Sequence, residues 1–388
     1  MTNHIWRQHE NSHHHWRRRR RTCTAIALQN NGIKTTVFEK AEMLGDVGAG
    51  LVLAANAVRS LRRMGLAEQA IAAGSKIMRT QIRTHTGDVL AETDMSNYED
   101  LFGAPGIAIH RAALHKVLLG ALPEGAVRLG ASCISVDQDP DGVTARFEDG
   151  SEARADFLIG ADGVRSVIRR QLFPQVSLRY SGYTAWRGAV TSQDEAALGI
   201  TSESWGRGYR FGIIRMDAER IYWFATANAQ QGVTYPLHER KNMLLKIFGS
   251  WHHPIKHLLE ATPAEAILHN DISDFAPMKQ WSSGRITLLG DAAHATTPNM
   301  GQGACMAIES ADVLGQCLVK NAAIETAFQE YETRRKPRTA FITNQSWQIG
   351  RVAQMENPLA CAMRNFAVNT FSNNMMTAQL SKVMGVEA

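Results

Sequence analysis

Cysteine is scarce and unpatterned in this chain. Five cysteines (Cys23, Cys133, Cys305, Cys317, Cys361) occur in 388 residues, an odd number with no C-x-x-C spacing. That argues against a disulfide framework and a cysteine-built zinc site; no metal is expected, and a reducing, cytoplasmic setting is. Long apolar runs are missing too, so no membrane span is expected, and the first residues lack the apolar core of a secretory signal. Net charge is absent from most of the chain. The total is +5, and residues 1–24 carry all of it, through Arg7 and Arg17 to Arg21 against Glu10 alone. The basic isoelectric point therefore reports one short segment, and no nucleic-acid binding by the folded body is expected.

The length predicts two domains or one large domain with insertions. With 44% hydrophobic and 20% charged residues, the composition is that of an ordinary globular protein.

A further absence lies near the start. Residues 25–40 read as the end of a helix, a glycine turn at Gly32, and a strand Thr35 to Phe38 closed by Glu39. This is the second half of a dinucleotide-binding βαβ unit, where an acid after strand two holds ribose hydroxyls. The first half should be an apolar strand followed by G-x-G-x-x-G. The chain instead reads Glu10-Asn11-Ser12-His13-His14-His15-Trp16-Arg17-Arg18-Arg19-Arg20-Arg21-Thr22. Read one base later, the Trp16 codon becomes glycine, CGN arginine codons become GNC, and the histidines become Ile or Thr. The shifted frame then permits glycines at positions 16, 18 and 21, in register with the helix that resumes at Ala25. A pair of compensating frameshifts is the reading we favour for residues 1–24. An engineered tag, a basic nucleic-acid arm and a targeting peptide are the competing ones. The glycines would let the backbone approach a pyrophosphate at a helix N-terminus, and bulky arginines cannot copy that geometry.

Further along, Gly45-Asp46-Val47-Gly48-Ala49-Gly50 leads into a strand, and Asn56 to Met64 reads as an amphipathic helix with Ala57, Leu61 and Met64 on one face. Ile107 to His110 is a predicted strand, with Arg111 opening a helix. Residues 132–158 read as a β-meander turning at Asp141-Gly142 and Asp149-Gly150. From about residue 178, Tyr209 to Met216 and Arg220 to Ala227 predict an aromatic-rich antiparallel hairpin. Helices are predicted at 303–318 and 323–348, the second carrying a basic cluster from Arg334 to Arg338.

The most informative stretch is Gly290-Asp291-Ala292-Ala293-His294, running on to Pro298 and to Gly301-Gln302-Gly303. It follows the apolar strand Ile286 to Leu289 and opens a helix, which is a site for a large anionic cofactor. Glu39, Gly160-Ala161-Asp162-Gly163 and Gly290-Asp291 stand in this order. With Tyr180-Ser181-Gly182-Tyr183-Thr184-Ala185-Trp186-Arg187-Gly188 and Gly301 to Glu309, they resemble the FAD-dependent aromatic hydroxylases of the para-hydroxybenzoate hydroxylase fold. The nearest branch resembles urate hydroxylase, salicylate hydroxylase and zeaxanthin epoxidase, and the likeness runs from about residue 25 to 345.

The resemblance implies an α/β (α+β) fold: a FAD-binding Rossmann-like βαβ domain, an inserted antiparallel-sheet substrate domain and C-terminal helices. The expected FAD-binding domain is discontinuous (25–75, 100–177, 276–345). The substrate domain takes 76–99 and 178–275, and residues 346–388 form a helical tail. Glu39, with Lys40 beside it, would take the adenosine ribose, Arg111 would reach FAD from its helix start, and Gly290-Asp291 would hold ribityl or ribose hydroxyls. Asp162 and Gly163 would serve FAD and the nicotinamide cofactor. Pro298 would lie beside the flavin, and the amides of Gly301, Gln302 and Gly303 would stabilise charge on it. Arg210 and Tyr222 match positions that contact or activate substrate in urate-hydroxylase-like members. His294 receives no catalytic role.

Each motif also has a plain structural reading. Asp-Gly is commonly a turn, Gly-Asp after a strand a helix cap, and Arg210 and Tyr222 ordinary sheet residues. Singly, Trp186, Trp205, Trp223 and Phe224 read better as core than as pocket. The implied function is hydroxylation of a small aromatic or heteroaromatic ring, anionic rings included, by O2 and NADH or NADPH through a flavin C4a-hydroperoxide. The alternatives are epoxidation of an isoprenoid olefin and a remnant that has lost FAD binding. The expected assembly is a monomer or homodimer.

Overall fold

The computed structural model describes residues 15–43, 49–192 and 199–385, with side chains described outside 15–21 and 371–381. The readings of residues 1–14 and of Gly45 to Gly48 lie outside the described residues. His15–Gln29 is one helix, so the positions at which the shifted frame permits glycines are helical in the written chain. Its inner end is core, with Cys23, Ile26, Ala27 and Leu28 buried. The chain then turns through Gly32, at φ +76°, into the strand Val37–Phe38, shorter than the expected Thr35 to Phe38.

That strand pairs in parallel with Val127–Arg128. Farther along, Leu158–Gly160 pairs in parallel with Ile286–Leu288. Among the described residues, no strand joins these two pairs into one sheet. In a doubly wound sheet the first strand lies beside the second and carries the pairing onward.

The meander forms as three antiparallel strands, Cys133–Asp139, Gly142–Phe147 and Glu152–Ala155. Asp139 Oδ1 shapes the first turn by accepting from the amides of Asp141 at 2.9 Å and Gly142 at 3.0 Å. Ala55–Arg63 is the predicted amphipathic helix, with Ala57, Leu61 and the following Met64 buried.

A seven-stranded sheet takes its strands from both 79–94 and 179–274. The order is Leu268–Asp274, Arg179–Thr191, Arg220–Asn228, Tyr209–Arg215, Ile200–Trp205, Arg79–Thr84 and Val89–Asp94. One neighbouring pair, Ile200–Trp205 with Arg79–Thr84, runs parallel within the otherwise antiparallel sheet. Alternation gives the sheet two faces. Trp186, Phe211, Ile213 and Trp223 pack beneath helices Leu237–Phe248 and Ile255–Ala261, against Leu244, Phe248 and Leu258. Phe211 stacks on Trp223 at 5.5 Å. Burying each such side chain contributes about 1.5–3 kcal/mol to stability. The opposite face presents Ala185, Arg187, Arg210, Ile214, Tyr222, Phe224 and Thr226 to a cavity.

Helices Gly303–Lys320 and Ile324–Ala353 close the larger core, the second running past the expected end at 348. Two members of its basic cluster turn inward: Arg335 and Arg338 pair with the buried Glu309, each at 2.8 Å. Among the described residues, no helix is long and apolar enough to cross a membrane.

Candidate active site

A cavity of about 280 Å3 lies between this second face of the large sheet and the loops at the ends of the parallel strands. Those loops carry the motifs. Gly160 pairs with Leu288, and the Leu289 amide donates to Gly160 O at 3.0 Å, so the two strands end side by side. Asp162 and Asp291 follow directly. Gly290 makes the turn at φ +64°, a conformation that side chains disfavour. Arg169, which the sequence reading missed, joins the two loops. Its Nη2 donates to Val164 O at 2.6 Å and its Nη1 to Ala292 O at 3.3 Å. Burial pulls its guanidinium down to about 10, which leaves it charged at neutral pH.

The two carboxylate oxygens of Asp162 are engaged differently. Oδ2 accepts from the Val167 amide at 2.7 Å and the Ile168 amide at 3.4 Å, at the start of helix Val167–Leu172. Oδ1 is buried without a hydrogen-bond partner. An unmade bond at a buried carboxylate costs about 1–3 kcal/mol or more, so this oxygen calls for a donor from a bound group. Glu39 is buried at the end of its strand, its Oε1 accepting from the Ala41 amide at 3.1 Å. Lys40 is half-buried beside it, and Arg111 is buried at the first turn of helix Arg111–Gly120.

Across the cavity, Pro298–Met300 forms a short 3-10 turn and Gly301 turns the chain at φ +64° into helix Gly303–Lys320. At Gly301 a side chain would meet nothing within 4 Å, and at Gly303 nothing nearer than Thr296 at 3.7 Å. The protein leaves space there and directs a long helix's N-terminus at it, as a cradle for an anionic group requires. Gln302 differs from its neighbours: its side chain is buried, with Oε1 accepting from Asn56 Nδ2 at 3.1 Å. Asn299 Nδ2 clamps the turn by donating to Thr297 Oγ1 at 2.9 Å and Ser346 O at 2.8 Å. His294 is buried with Ser310 Oγ 3.0 Å from its Nε2.

On the sheet face, Arg210 and Tyr222 lie on adjacent strands, but Arg210 pairs with Thr226 and Tyr222 with Ile214. Four residues along a strand separate the two rows by about 13 Å. Tyr222 lines the cavity with its Cβ packed closely against Gly50. Arg210 is engaged by the protein itself. Its Nε donates to Gln354 Oε1 at 2.6 Å and Thr226 Oγ1 at 3.2 Å, and its Nη1 to Glu203 Oε1 at 3.0 Å. Phe224 lines the cavity between the two rows, whereas Trp186 and Trp223 belong to the core on the other face. Trp205 is buried near helix Pro358–Met384, with Arg364 5.1 Å from its ring centre. Glu203, Gln354, Asn270 and Arg187 escaped the sequence reading; only Arg187 stood inside a quoted motif.

A family model described as an FAD binding domain matches residues 22–346. The chain belongs to that family. The match begins within the first described helix, after the segment that lacks the glycine loop. The chain is 40% identical over 355 residues to an aurachin C monooxygenase/isomerase of Stigmatella aurantiaca, covering 91% of this chain and 92% of that protein. It is 33% identical over 353 residues to a 2-heptyl-3-hydroxy-4(1H)-quinolone synthase of Pseudomonas aeruginosa, covering 88% and 89%. The crystal structure of Klebsiella pneumoniae HpxO complexed with FAD and uric acid superposes with a TM-score of 0.88 at 26% identity, covering 94% and 93%.

The chain is thus an FAD-dependent monooxygenase of the aromatic hydroxylase type, with the α/β fold expected. The residues present suit FAD: a buried acceptor oxygen at Asp162, an open glycine cradle, and Asp291 on the cavity wall.

Proposed function

We propose that this enzyme hydroxylates a carbon of a fused heteroaromatic ring of the 4-quinolone type, consuming O2 and NADH or NADPH. The observation that carries the reading is the aromatic floor of the cavity facing the glycine cradle. Phe224 lies over Gly212, where any side chain would collide with its ring. Ala185, Ile214 and Ile272 complete an apolar surface for a flat ring, with Thr226 and Asn270 as polar neighbours. The names of two relatives support the reading: one is a monooxygenase/isomerase, and the other names a hydroxylated 4-quinolone as its product.

In this reading Glu39, Lys40, Arg111, Asp162, Gly163, Gly290 and Asp291 bind FAD, and the Gly301 to Gly303 backbone supports charge on its ring end. Bound FAD would supply the redox chemistry, with NADH or NADPH as the reductant and O2 as the source of the ring oxygen, its other atom leaving as water. The protein orients the ring between Phe224 and Pro298, and the apolar walls exclude water. Tyr222 orients the ring edge. Residues 76–99 and 178–275 act as the substrate domain, and the remaining body as the FAD domain.

The test is to load the protein with FAD and follow flavin absorbance on adding NADH or NADPH, with and without 2-heptyl-4(1H)-quinolone. Faster bleaching with the quinolone, and a product heavier by one oxygen, is the expected result. A flavin reduced at one rate regardless of ring, with no oxygenated product, defeats the proposal.

A further inference from the structure

We infer that Arg187, and not Arg210, holds the negative charge of the ring substrate; this rests on the function proposed above. Among the described residues, four arginines line the cavity: Arg111, Arg165, Arg187 and Arg210. Arg111 belongs to the helix start on the FAD side, and Arg165 is exposed. Arg210 faces the carboxylate of Glu203 at 3.0 Å, and its guanidinium sits 5.2 Å from the Tyr183 ring. Its charge is compensated before any ligand arrives.

Arg187 is different. It is half-buried in the cavity wall and makes no hydrogen bond or ion pair with any described residue. Its charge is felt nearby: burial, Arg240 and then Arg187 push down the proton affinity of His269. A partly desolvated charge without a partner is costly, and a bound anion offsets that cost. The position is specific. Arg187 pairs across the sheet with Phe224, which pairs with Gly212, which pairs with Glu203. A ring resting on Phe224 meets Arg187 on one side and the Glu203–Arg210 pair on the other. Neighbouring strands lie about 4.8 Å apart, so the guanidinium reaches the edge of such a ring.

A guanidinium fork matches a carboxylate or a delocalised ring oxyanion. A 4-quinolone gives that oxyanion when its N–H proton leaves to water; no bond to carbon changes, and the charge spreads over the oxygen and the ring. Arg187 stabilises this ionised ring, whose carbons are more nucleophilic. The phosphates of a nicotinamide dinucleotide share the anionic chemistry. Exposed Arg165 suits them better than Arg187 on the sheet floor.

The experiment titrates the purified protein and its R187Q and R187K variants by tryptophan fluorescence, Trp186 being the chain neighbour of Arg187. The probes are 2-heptyl-4(1H)-quinolone, salicylate and uric acid, with NADH and NADPH in parallel. R187Q is expected to weaken ring binding about ten- to a hundredfold, the loss of one charge-assisted hydrogen bond or two. R187K keeps the charge and retains most of the affinity. Dinucleotide binding stays unchanged and the thermal midpoint does not fall, since Arg187 bonds no part of the fold and R187Q removes an uncompensated charge. In the wild type, affinity rises as pH passes the ionisation of the ring, and R187Q abolishes that rise. Equal ring affinity in R187Q and wild type overturns the inference. So does a loss confined to NADH and NADPH, or a wild type that binds none of the three rings. Arg187-dependent binding of salicylate or uric acid without quinolone binding overturns the quinolone reading alone.

Discussion

Asp162 and Asp291 stand just past the ends of two adjacent parallel strands, where Gly160 lies opposite Leu288 in the ladder. Residues 129 apart in the chain thereby become one site. The ends of parallel strands are where open α/β sheets bind their ligands, and Arg169 ties the two loops together through carbonyls on each.

Asp162 does two jobs with two oxygens, and they separate experimentally. Asp162→Ala removes the acceptor of the first two amides of helix Val167–Leu172, whose N-cap Ser166 remains, and is expected to cost about 1 kcal/mol in urea unfolding. It also removes the unpartnered buried oxygen, so FAD affinity should fall by at least tenfold. Asp162→Asn keeps one acceptor oxygen for these amides and should spare stability more than it spares FAD binding. Equal FAD affinity in all three proteins, by calorimetry, would show that the oxygen does not meet the cofactor.

Glu203 and Arg210 form a pair of which the arginine side chain is 3% exposed and the glutamate 27%. Removing one partner strands the other. Glu203→Gln is expected to destabilise the protein by about 3 kcal/mol, at the low end for buried pairs because Glu203 keeps some solvent. Replacing both, as in Glu203→Gln with Arg210→Met, should recover part of the loss. Thermal or urea unfolding of the three variants checks this. A double variant as unstable as the sum of the singles would deny the coupling.

The pH dependence has a named contributor. His269 stacks on Trp186 at 4.6 Å, and burial pushes its imidazole down to about 4 from an ordinary 6.5. The folded form then binds fewer protons than the unfolded chain between these values. Its share of stability is complete above pH 6.5 and is lost as pH falls from there toward 4. Urea midpoints at pH 7.5 and 4.5 should differ less in His269→Gln than in the wild type. An unchanged difference would assign the acid sensitivity elsewhere.

The N-terminus carries its own prediction. The parallel pairs 37–38/127–128 and 158–160/286–288 lack a joining strand among the described residues, and the family match begins at residue 22. A version restoring the shifted frame over residues 10–22 is expected to co-purify with more FAD and to melt at a higher temperature. Flavin content per chain decides it. An unshifted open reading frame confirmed by resequencing, together with equal flavin content, would remove the frameshift explanation.

Much of the site was legible because it is local. Gly290-Asp291, Asp162-Gly163 and Gly301-Gln302-Gly303 each sit where a strand or turn meets a helix, and their order along the chain, more than any one of them, singled them out. The amphipathic helix at 55–63, the meander and the hairpin followed from periodicity and turn chemistry in the same way. Arg210 was legible as a position, whereas its partners were not. Gln354 and Glu203 reach it from 144 and 7 residues away, and only the packed sheet and helix end bring them together.

The sequence by itself determined the cofactor class, through the order of its motifs, and the alternation of the sheet, since each motif and each strand is written in a few consecutive residues. Tertiary structure decided which arginine carries a free charge. Arg187 and Arg210 look alike in sequence, but charge is compensated through space, and Glu203 stands beside only one of them.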